Sequence, residues 1–418
     1  MKSTIQLKTA TPLLLITLAL VCFGFLPKAQ AVEPAAPDTA LPGGNTADGQ
    51  LALASVTTGL YNSAFGIYSL LSLTDGNFCT GVGAGTLLSN TADGNTATGA
   101  GALLSNTIGE GNTANGTFAL FSNTEGNSNT ATGDNALLSN TEGDGNTADG
   151  FGALNTNTTS FGNTAIGFQA LFSNTEFGGN TAVGAFALLS NTSDQNTAIG
   201  LNALIDNTIG LNNTAVGVDA LDSNTTGSGN IALGAFAGAA VTTANNVIAI
   251  GTSGADVDNS CFIGFIRDVQ TANDDAIPVV IDSTGQLGTA SSSKRFKKEI
   301  KPMKSASEAI LALKPVTFRY KGETKGTPQF GLIAEEVAEV NPDLVVRDKN
   351  REIYTVRYDA VNAMLLNEFL KAHKAIEEQR KEIDMLKTQL KGQMALIQRV
   401  SDKVDLDQSM RQLVANEQ

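Results

Sequence analysis

Small apolar and polar positions recur along the first part of the chain in one phrase, Asn-Thr-Ala-x-Gly-x-x-Ala-Leu-x-Ser-Asn-Thr-x-Gly. Its leading asparagines are Asn45, Asn62, Asn77, Asn95, Asn112, Asn129, Asn146, Asn163, Asn180, Asn196, Asn213 and Asn230. The step is 17 in most cases, with single steps of 15, 16 and 18. A helical hairpin needs a period above about thirty residues, so this one is too short for it. Two short strands and two tight turns fit. Gly and Asn at fixed offsets supply the turn positions with positive φ. Aliphatic residues before Gly, as in Ala198-Ile199-Gly200 and Ala215-Val216-Gly217, supply the strand.

Stacked in register, such coils pair backbone with backbone and allow Asn and Thr side chains to form ladders. Twelve coils at a strand spacing of about 4.8 Å make a rod of roughly 55–60 Å. Gly/Asn/Thr/Ser-rich sequence is often unstructured, but the strict phase of the Ala and Leu positions argues for an ordered solenoid over residues 45–252. The inward positions read as Ala and Gly, which bury little apolar area. The Leu after the second Ala (Leu103, Leu137, Leu188, Leu204) is then expected to pack against sister chains, which points to a trimer of rolls.

After Gly251 the period fades. Ile277–Ile281 reads as a short strand, Asp282–Gly285 as a turn and Gln286–Gly288 as the start of a second strand, so residues 253–290 form a β neck. Lys314–Tyr320 alternates as a strand, and Gly331–Val340 is apolar at helical spacing and stops before Asn341-Pro342. From Arg357 to about Asp407 one long helix is expected. Its heptad a positions fall on Phe369, Ile376, Ile383, Leu390, Ile397 and Val404, and its d positions on Ala372, Gln379, Leu386, Gln393 and Val400. That seam suits a short parallel coiled coil. Residues 408–418 read as a flexible tail.

Charge separates the two halves. From Val32 to Ile266 there is no Lys or Arg against 18 Asp and Glu, whereas 24 basic and 23 acidic residues follow from Arg267. An acidic surface of that length argues against nucleic acid or an anionic membrane as partner. The N-terminus reads as an export signal over residues 1–31: Lys2 and Lys8, an apolar run Leu13–Leu26, and the small-x-small site Ala29-Gln30-Ala31. The run is too short to span a membrane comfortably, so no stable anchor is expected once it is removed, and residues 32–44 are a linker. The protein is expected to be exported to the extracellular space or the cell surface of a bacterium. Cys79 and Cys261 lie too far apart for a disulfide framework. Cys79 reads as a small core residue where other repeats have Ala. No metal pattern is present, no cofactor is implied, and the single histidine, His373, excludes triad chemistry.

At the boundary between the halves stands Ser291-Ser292-Ser293-Lys294-Arg295-Phe296-Lys297-Lys298-Glu299-Ile300. Three hydroxyls beside four cations admit several readings. A serine is a weak nucleophile that must pass its proton to a base. Without a usable histidine that base must be an uncharged lysine. The spacing Ser291-x-x-Lys294 is that of serine–lysine acylases, and a solvated basic face beside a serine linker is the plainest alternative.

Two resemblances extend these readings. The repeats resemble the head repeats of trimeric autotransporter adhesins, the left-handed β-rolls marked by Asn-x-x-Ala-Ile-Gly, a phrase given in full by Asn246–Gly251. The other copies are one residue shorter between Asn and Ala, and the adhesins' C-terminal membrane anchor is missing. Over about 291–345, three phrases in order resemble the peptidase S74 family, the intramolecular chaperone domain of phage tail spikes and endosialidases. They are Ser-[Asp or Ser]-x-Arg-x-Lys with a following isoleucine, Pro-Val-x-Phe-x-Tyr, and Gly-Leu-Ile-Ala-[Gln or Glu]-Glu-Val with a Pro after it. Here they stand as Ser292–Ile300, Pro315–Tyr320 and Gly331–Pro342.

The resemblance implies an α+β chaperone domain, residues 291–356, that trimerises the chain, templates the fibre and then severs itself. It implies Ser292 as nucleophile, Lys297 as general base and cleavage between Ser291 and Ser292. Ser293 stands where many members have Asp, and Lys294 and Arg295 are supporting residues. Crowding by Lys294, Arg295 and Lys298, and burial in a trimer interface, favour an uncharged Lys297. The alternative is a surface adhesin that never cuts and keeps its C-terminal domain as a trimer clamp. A hydrolase of foreign substrate has little support, since the array offers no paired carboxylates or basic groups at a recurrent, pocket-like position and its acids scatter among turns. The expected partners are two further copies of the chain and an extracellular or cell-surface ligand.

Overall fold

A computed structural model of the protein describes residues 41–321, 326–348 and 350–415. The expected export signal, and the linker up to residue 40, lie outside the described residues. The chain divides into two units, one ending at Gln270 and the other beginning at Thr271.

The first unit is a β-solenoid. Fourteen three-residue strands, from β1 (Thr46–Asp48) to β14 (Cys261–Ile263), form one parallel sheet in strict chain order. Register is uniform: Thr113 faces Thr130, and Ala114 faces Ala131. From β2 to β13 the central residue of each strand, usually Ala, points inward and is buried, while Ala47 and Phe262 at the two ends are half-buried. The sheet runs past residue 252, so the last coil occupies residues expected in the neck.

Each coil carries one strand, not the two that were expected. The opposite side is made of turns that stack by backbone hydrogen bonds, such as Leu103 N–H to Ala119 O at 3.0 Å and Leu120 N–H to Ala136 O at 3.0 Å. Leucine adopts the left-handed conformation there, with φ of 50° at Leu103 and 52° at Leu137. A bulky residue at positive φ is strained and persists only where its surroundings over-determine it. Here the inter-coil bond and complete burial of the side chain supply that constraint. Leu103, Leu137, Leu188 and Leu204 are therefore buried inside their own chain, and the expectation that they pack against sister chains is overturned. The left-handed residue turns the side chain into the coil, where each contributes roughly 1.5–3 kcal/mol.

Two ladders of fully buried asparagine fill the rest of the interior. In the first, Asn95 Oδ1 accepts the Asn112 backbone N–H at 2.9 Å, while Asn112 Nδ2 donates to Gly126 O at 2.8 Å. The second runs through side chains: Asn123 Nδ2 donates to Asn106 Oδ1 at 2.6 Å, and Asn140 Nδ2 to Asn123 Oδ1 at 2.7 Å. Buried amides are tolerable only when paired in this way. On the surface a threonine ladder runs alongside, as in Thr107 Oγ1 to Thr124 O at 2.8 Å.

The register corrects the reading of the third coil. Thr80 faces Ser63 and Thr96, so the residue in the first asparagine ladder is Cys79, not Asn77. Cys79 thus replaces an asparagine and not an alanine, and it is buried. With Cys79 as the leading residue the irregular steps of 15 and 18 disappear.

The second unit is small and mixed. Strands β15 (Val279–Ile281) and β16 (Leu287–Thr289) form a hairpin, whose turn is closed by the Asp282 carboxylate accepting the amides of Thr284 and Gln286. A 3₁₀ segment, Lys304–Ala312, precedes β17 (Val316–Phe318), which pairs with β18 (Gln329–Gly331). Helix α1 (Ala334–Val340) follows, then the hairpin of β19 (Val345–Arg347) and β20 (Ile353–Val356). Pro342 ends α1 because it cannot continue the hydrogen-bond ladder, and Asn341 accepts the Asp343 amide in the turn. Helix α2 (Tyr358–Ala415) continues past Asp407, where a flexible tail was expected to begin. Val337, Leu344, Val345, Val356 and Met364 form the core of this unit.

Candidate functional site

Ser291, Ser292 and Ser293 lead into a single 3₁₀ turn, Lys294–Phe296, and Lys297 is the extended residue that ends it. Phe296 N–H donates to Ser293 O and Lys297 N–H to Lys294 O, both at 3.1 Å, while Ser293 N–H reaches Ser291 Oγ at 3.3 Å. The Arg295 guanidinium lies over the Phe296 ring, 4.7 Å from its centre. One tight turn therefore brings all the sequence-identified residues together: Ser291, Ser292, Ser293, Lys294, Arg295 and Lys297. All of them are exposed. Among the described residues no hydrogen bond joins Ser292 to Lys297, so a single chain presents the pair without coupling it.

A second polar cluster escaped the sequence reading. Ser307, in the 3₁₀ segment, is fully buried and donates to the Glu368 carboxylate on α2. Asn367 Nδ2 donates to Ser307 Oγ at 2.6 Å, and Lys371 Nζ bridges Glu368 at 2.7 Å and Glu308 at 3.1 Å. Hydrogen bonds from Lys371 and then Ser307 hold the Glu368 carboxyl below its ordinary range. The Glu368 and Glu308 carboxylates raise the Lys371 ammonium in turn, against some desolvation. Only the helical spacing of Glu368 and Lys371 was visible in the sequence. Their contact with residues some sixty positions earlier was not.

Beside this cluster lies an apolar groove of about 660 Å³, walled by Ile310, Leu313, Pro315, Phe330, Tyr358 and Leu365. The Tyr358 hydroxyl accepts the Leu332 amide at 3.1 Å and fixes one wall.

The residues from Ser292 onward therefore combine a hydroxyl–lysine turn, a strand pair, a short helix, a hairpin and a long helix. Residues 292–346 match the peptidase S74 family, described as the chaperone of endosialidase. The matched stretch begins at Ser292 itself. No curated protein and no solved structure matches the chain. The S74 segment is joined to a β-solenoid body, which is the fusion that the repeats and the three phrases pointed to. Among the described residues no cluster of three or more His, Cys, Asp or Glu is placed to hold a metal ion, and no helix is long and apolar enough to cross a membrane.

Proposed function

We propose that the protein is an exported, tail-fibre-like homotrimer whose S74 segment registers three chains and then severs itself between Ser291 and Ser292. The observation that carries this reading is the S74 match, whose first residue is the serine expected to stand at the new N-terminus. Ser292 Oγ attacks the Ser291 carbonyl carbon while its proton passes to uncharged Lys297 Nζ. The C–N bond breaks, and Lys297 returns the proton to the departing amine of Ser292. Water then hydrolyses the resulting ester, leaving a Ser291 carboxylate and free Ser292. Ser292 and Lys297 are exposed and not hydrogen-bonded to each other in one chain, so the reaction waits until chain association buries the turn and brings them together.

Apolar surface left open by one chain supports association. The α2 positions Phe369, Ile376, Ile383, Leu390 and Ile397 are exposed along one heptad stripe, the pattern of a coiled-coil seam. On the solenoid, the outward residue that ends each strand is polar at Thr98, Asn115, Thr132 and Asp149 but aliphatic from Ile166 to Ile263. Sister chains covering that row would register repetitive strands that could otherwise slip. Loss of the chaperone after the cut then leaves the fibre kinetically trapped.

A second reading is favoured by the uncoupled geometry of Ser292 and Lys297: an adhesin that keeps its C-terminal unit as a clamp. Intact mass of the purified protein beside Ser292→Ala separates the two. A fragment beginning at Ser292 in the native chain alone supports self-cleavage, and two whole chains under trimeric conditions reject it.

A further inference from the structure

We infer that the basic stretch Lys294–Lys301 of one chain docks into the apolar groove of a second copy of this chain, so that the cut is made ready across chains. The inference rests on the self-cleaving reading and adds the partner of its site. The stretch carries Lys294, Arg295, Lys297, Lys298 and Lys301 against one acid, Glu299. Its only apolar side chains are Phe296 and Ile300, which are 64% and 60% exposed. Within the turn Phe296 meets only the Arg295 guanidinium, and both apolar side chains are left largely open to water.

The groove offers an uncharged, mainly apolar lining, with the carboxylates of α1 next to it. Its wall residue Phe330 is 82% exposed, and Leu313 and Pro315 line it as well. Leu313 also borders a second hollow lined by Glu336 and Glu339 of α1, two carboxylates against the single cation Lys314. Helix α1 carries Glu335, Glu336 and Glu339 and no cation. An aromatic and an aliphatic residue among cations thus face an apolar slot beside carboxylates, an arrangement that steers encounter and fixes register.

Continuity with the helix stripe indicates that the occupant is a sister copy. Leu365 forms part of the groove and precedes Ala372 by one heptad, which places it on the d row of α2. Chains that pair along that row bring one groove beside a neighbour's stretch at high effective concentration. In the isolated chain the backbone hydrogen bonds of the turn close only on the turn itself, and the groove stays open.

Two differently tagged full-length chains, produced together, test this. One carries Ser292→Ala with an intact groove; the other keeps its serines but carries Phe330→Glu. Alone, the Phe330→Glu chain is expected to cut about tenfold more slowly or worse, as for loss of a central apolar anchor. In mixed trimers it is expected to be cut again, because its stretch enters the neighbour's groove. If it is cut normally alone, or stays whole in mixed trimers while the native chain is cut, the inference is overturned and self-cleavage stands. The pair Glu336→Lys and Glu339→Lys, on the exposed face of α1, repeats the test should Phe330→Glu fail to fold.

If the native chain is never cut, the self-cleaving reading itself has failed, and docking is read separately. Phe296→Cys on one tagged chain and Phe330→Cys on the other, both with Cys261→Ser, are oxidised together. A disulfide joining the two tags supports docking. A bond formed only between chains of the same tag, or none at all, overturns it.

Discussion

The Asp256 carboxylate accepts the backbone N–H of Ala244 at 2.8 Å, together with those of Thr242 and Thr243 at 2.9 Å. In inner coils the same three amides converge on one carbonyl of the next coil, as those of Thr107, Ile108 and Gly109 do on Thr124 O. Asp256 therefore stands in for that carbonyl within the shortened last coil, between β13 and β14, and caps the turn side of the stack. The Thr242 hydroxyl first, and then these amides, hold its carboxyl well below the ordinary carboxylate range. A lowered pKa means that the cap is fully present above that ordinary range and is lost only as pH falls through the lowered value. Asp256→Ala is expected to speed amide exchange at Thr242, Thr243 and Ala244 by roughly tenfold, comparable to losing a helix cap. Exchange followed by mass spectrometry checks this, and unchanged protection would refute the capping role.

Cys79 interrupts the first asparagine ladder and tests its worth in the opposite direction. The Asn62 side chain accepts the Cys79 amide at 2.8 Å, as in every asparagine coil, but the thiol is a weak donor to Ala92 O. The other shortened coil shows the alternative, with Asn180 Nδ2 reaching Ser193 O at 2.9 Å. Cys79→Asn should therefore stabilise the solenoid by about 1 kcal/mol, seen as a rise of about 2–4 °C in the thermal midpoint. Burial pushes the Cys79 thiol up. Its contribution to stability holds below the ordinary thiol pKa and fades as pH rises through the raised value. A thiol reagent at neutral pH is expected to label exposed Cys261 at once and Cys79 only on unfolding.

These two residues also mark what the sequence could reveal. The phase of Ala and Leu foretold a stacked solenoid, because a register repeated this often leaves few other folds. It did not foretell that leucine enters the left-handed region, so Leu103 was assigned to the wrong side of the coil. Nor did it expose Cys79, since Asn77 two residues earlier mimics the ladder residue. At the site, the resemblance to the S74 family singled out Ser292 and Lys297, and both lie in one exposed turn. Ser307 was not singled out, because its partners on α2 are brought to it only by tertiary packing.

Backbone proximity between coils predicts how one glycine responds. Gly99 has φ of 122°, and a Cβ there would lie 2.5 Å from Gly116 O in the next coil. Gly285, with φ of 88° in the hairpin turn, has open space around it. Gly99→Ala must meet both strain and a clash with rigid backbone, and should cost several kcal/mol, about 3 or more. Gly285→Ala meets strain alone, about 1 kcal/mol. Chemical denaturation of both variants measures the difference, and equal losses would refute the close approach.

The Ser307 cluster couples the Lys304–Ala312 segment to α2, and its charges set the pH window in which that coupling holds. Glu368 is lowered by Lys371 and Ser307, so its contribution is present above the ordinary carboxylate range and is lost as pH falls through the lowered value. Lys371 is raised by Glu368 and then Glu308, so its contribution holds below the ordinary lysine range and is lost as pH rises through the raised one. Amide protection of Lys304–Ala312 should therefore be flat between roughly pH 5 and 10 and decline on either side. Glu368→Gln keeps an acceptor for Ser307 but no charge for Lys371, and should remove the acid decline while lowering the plateau. Ser307→Ala leaves the Asn367 amide without its short bond and should lower protection at every pH with the window intact. If Glu368→Gln keeps the native acid limb, the coupling does not run through this carboxylate.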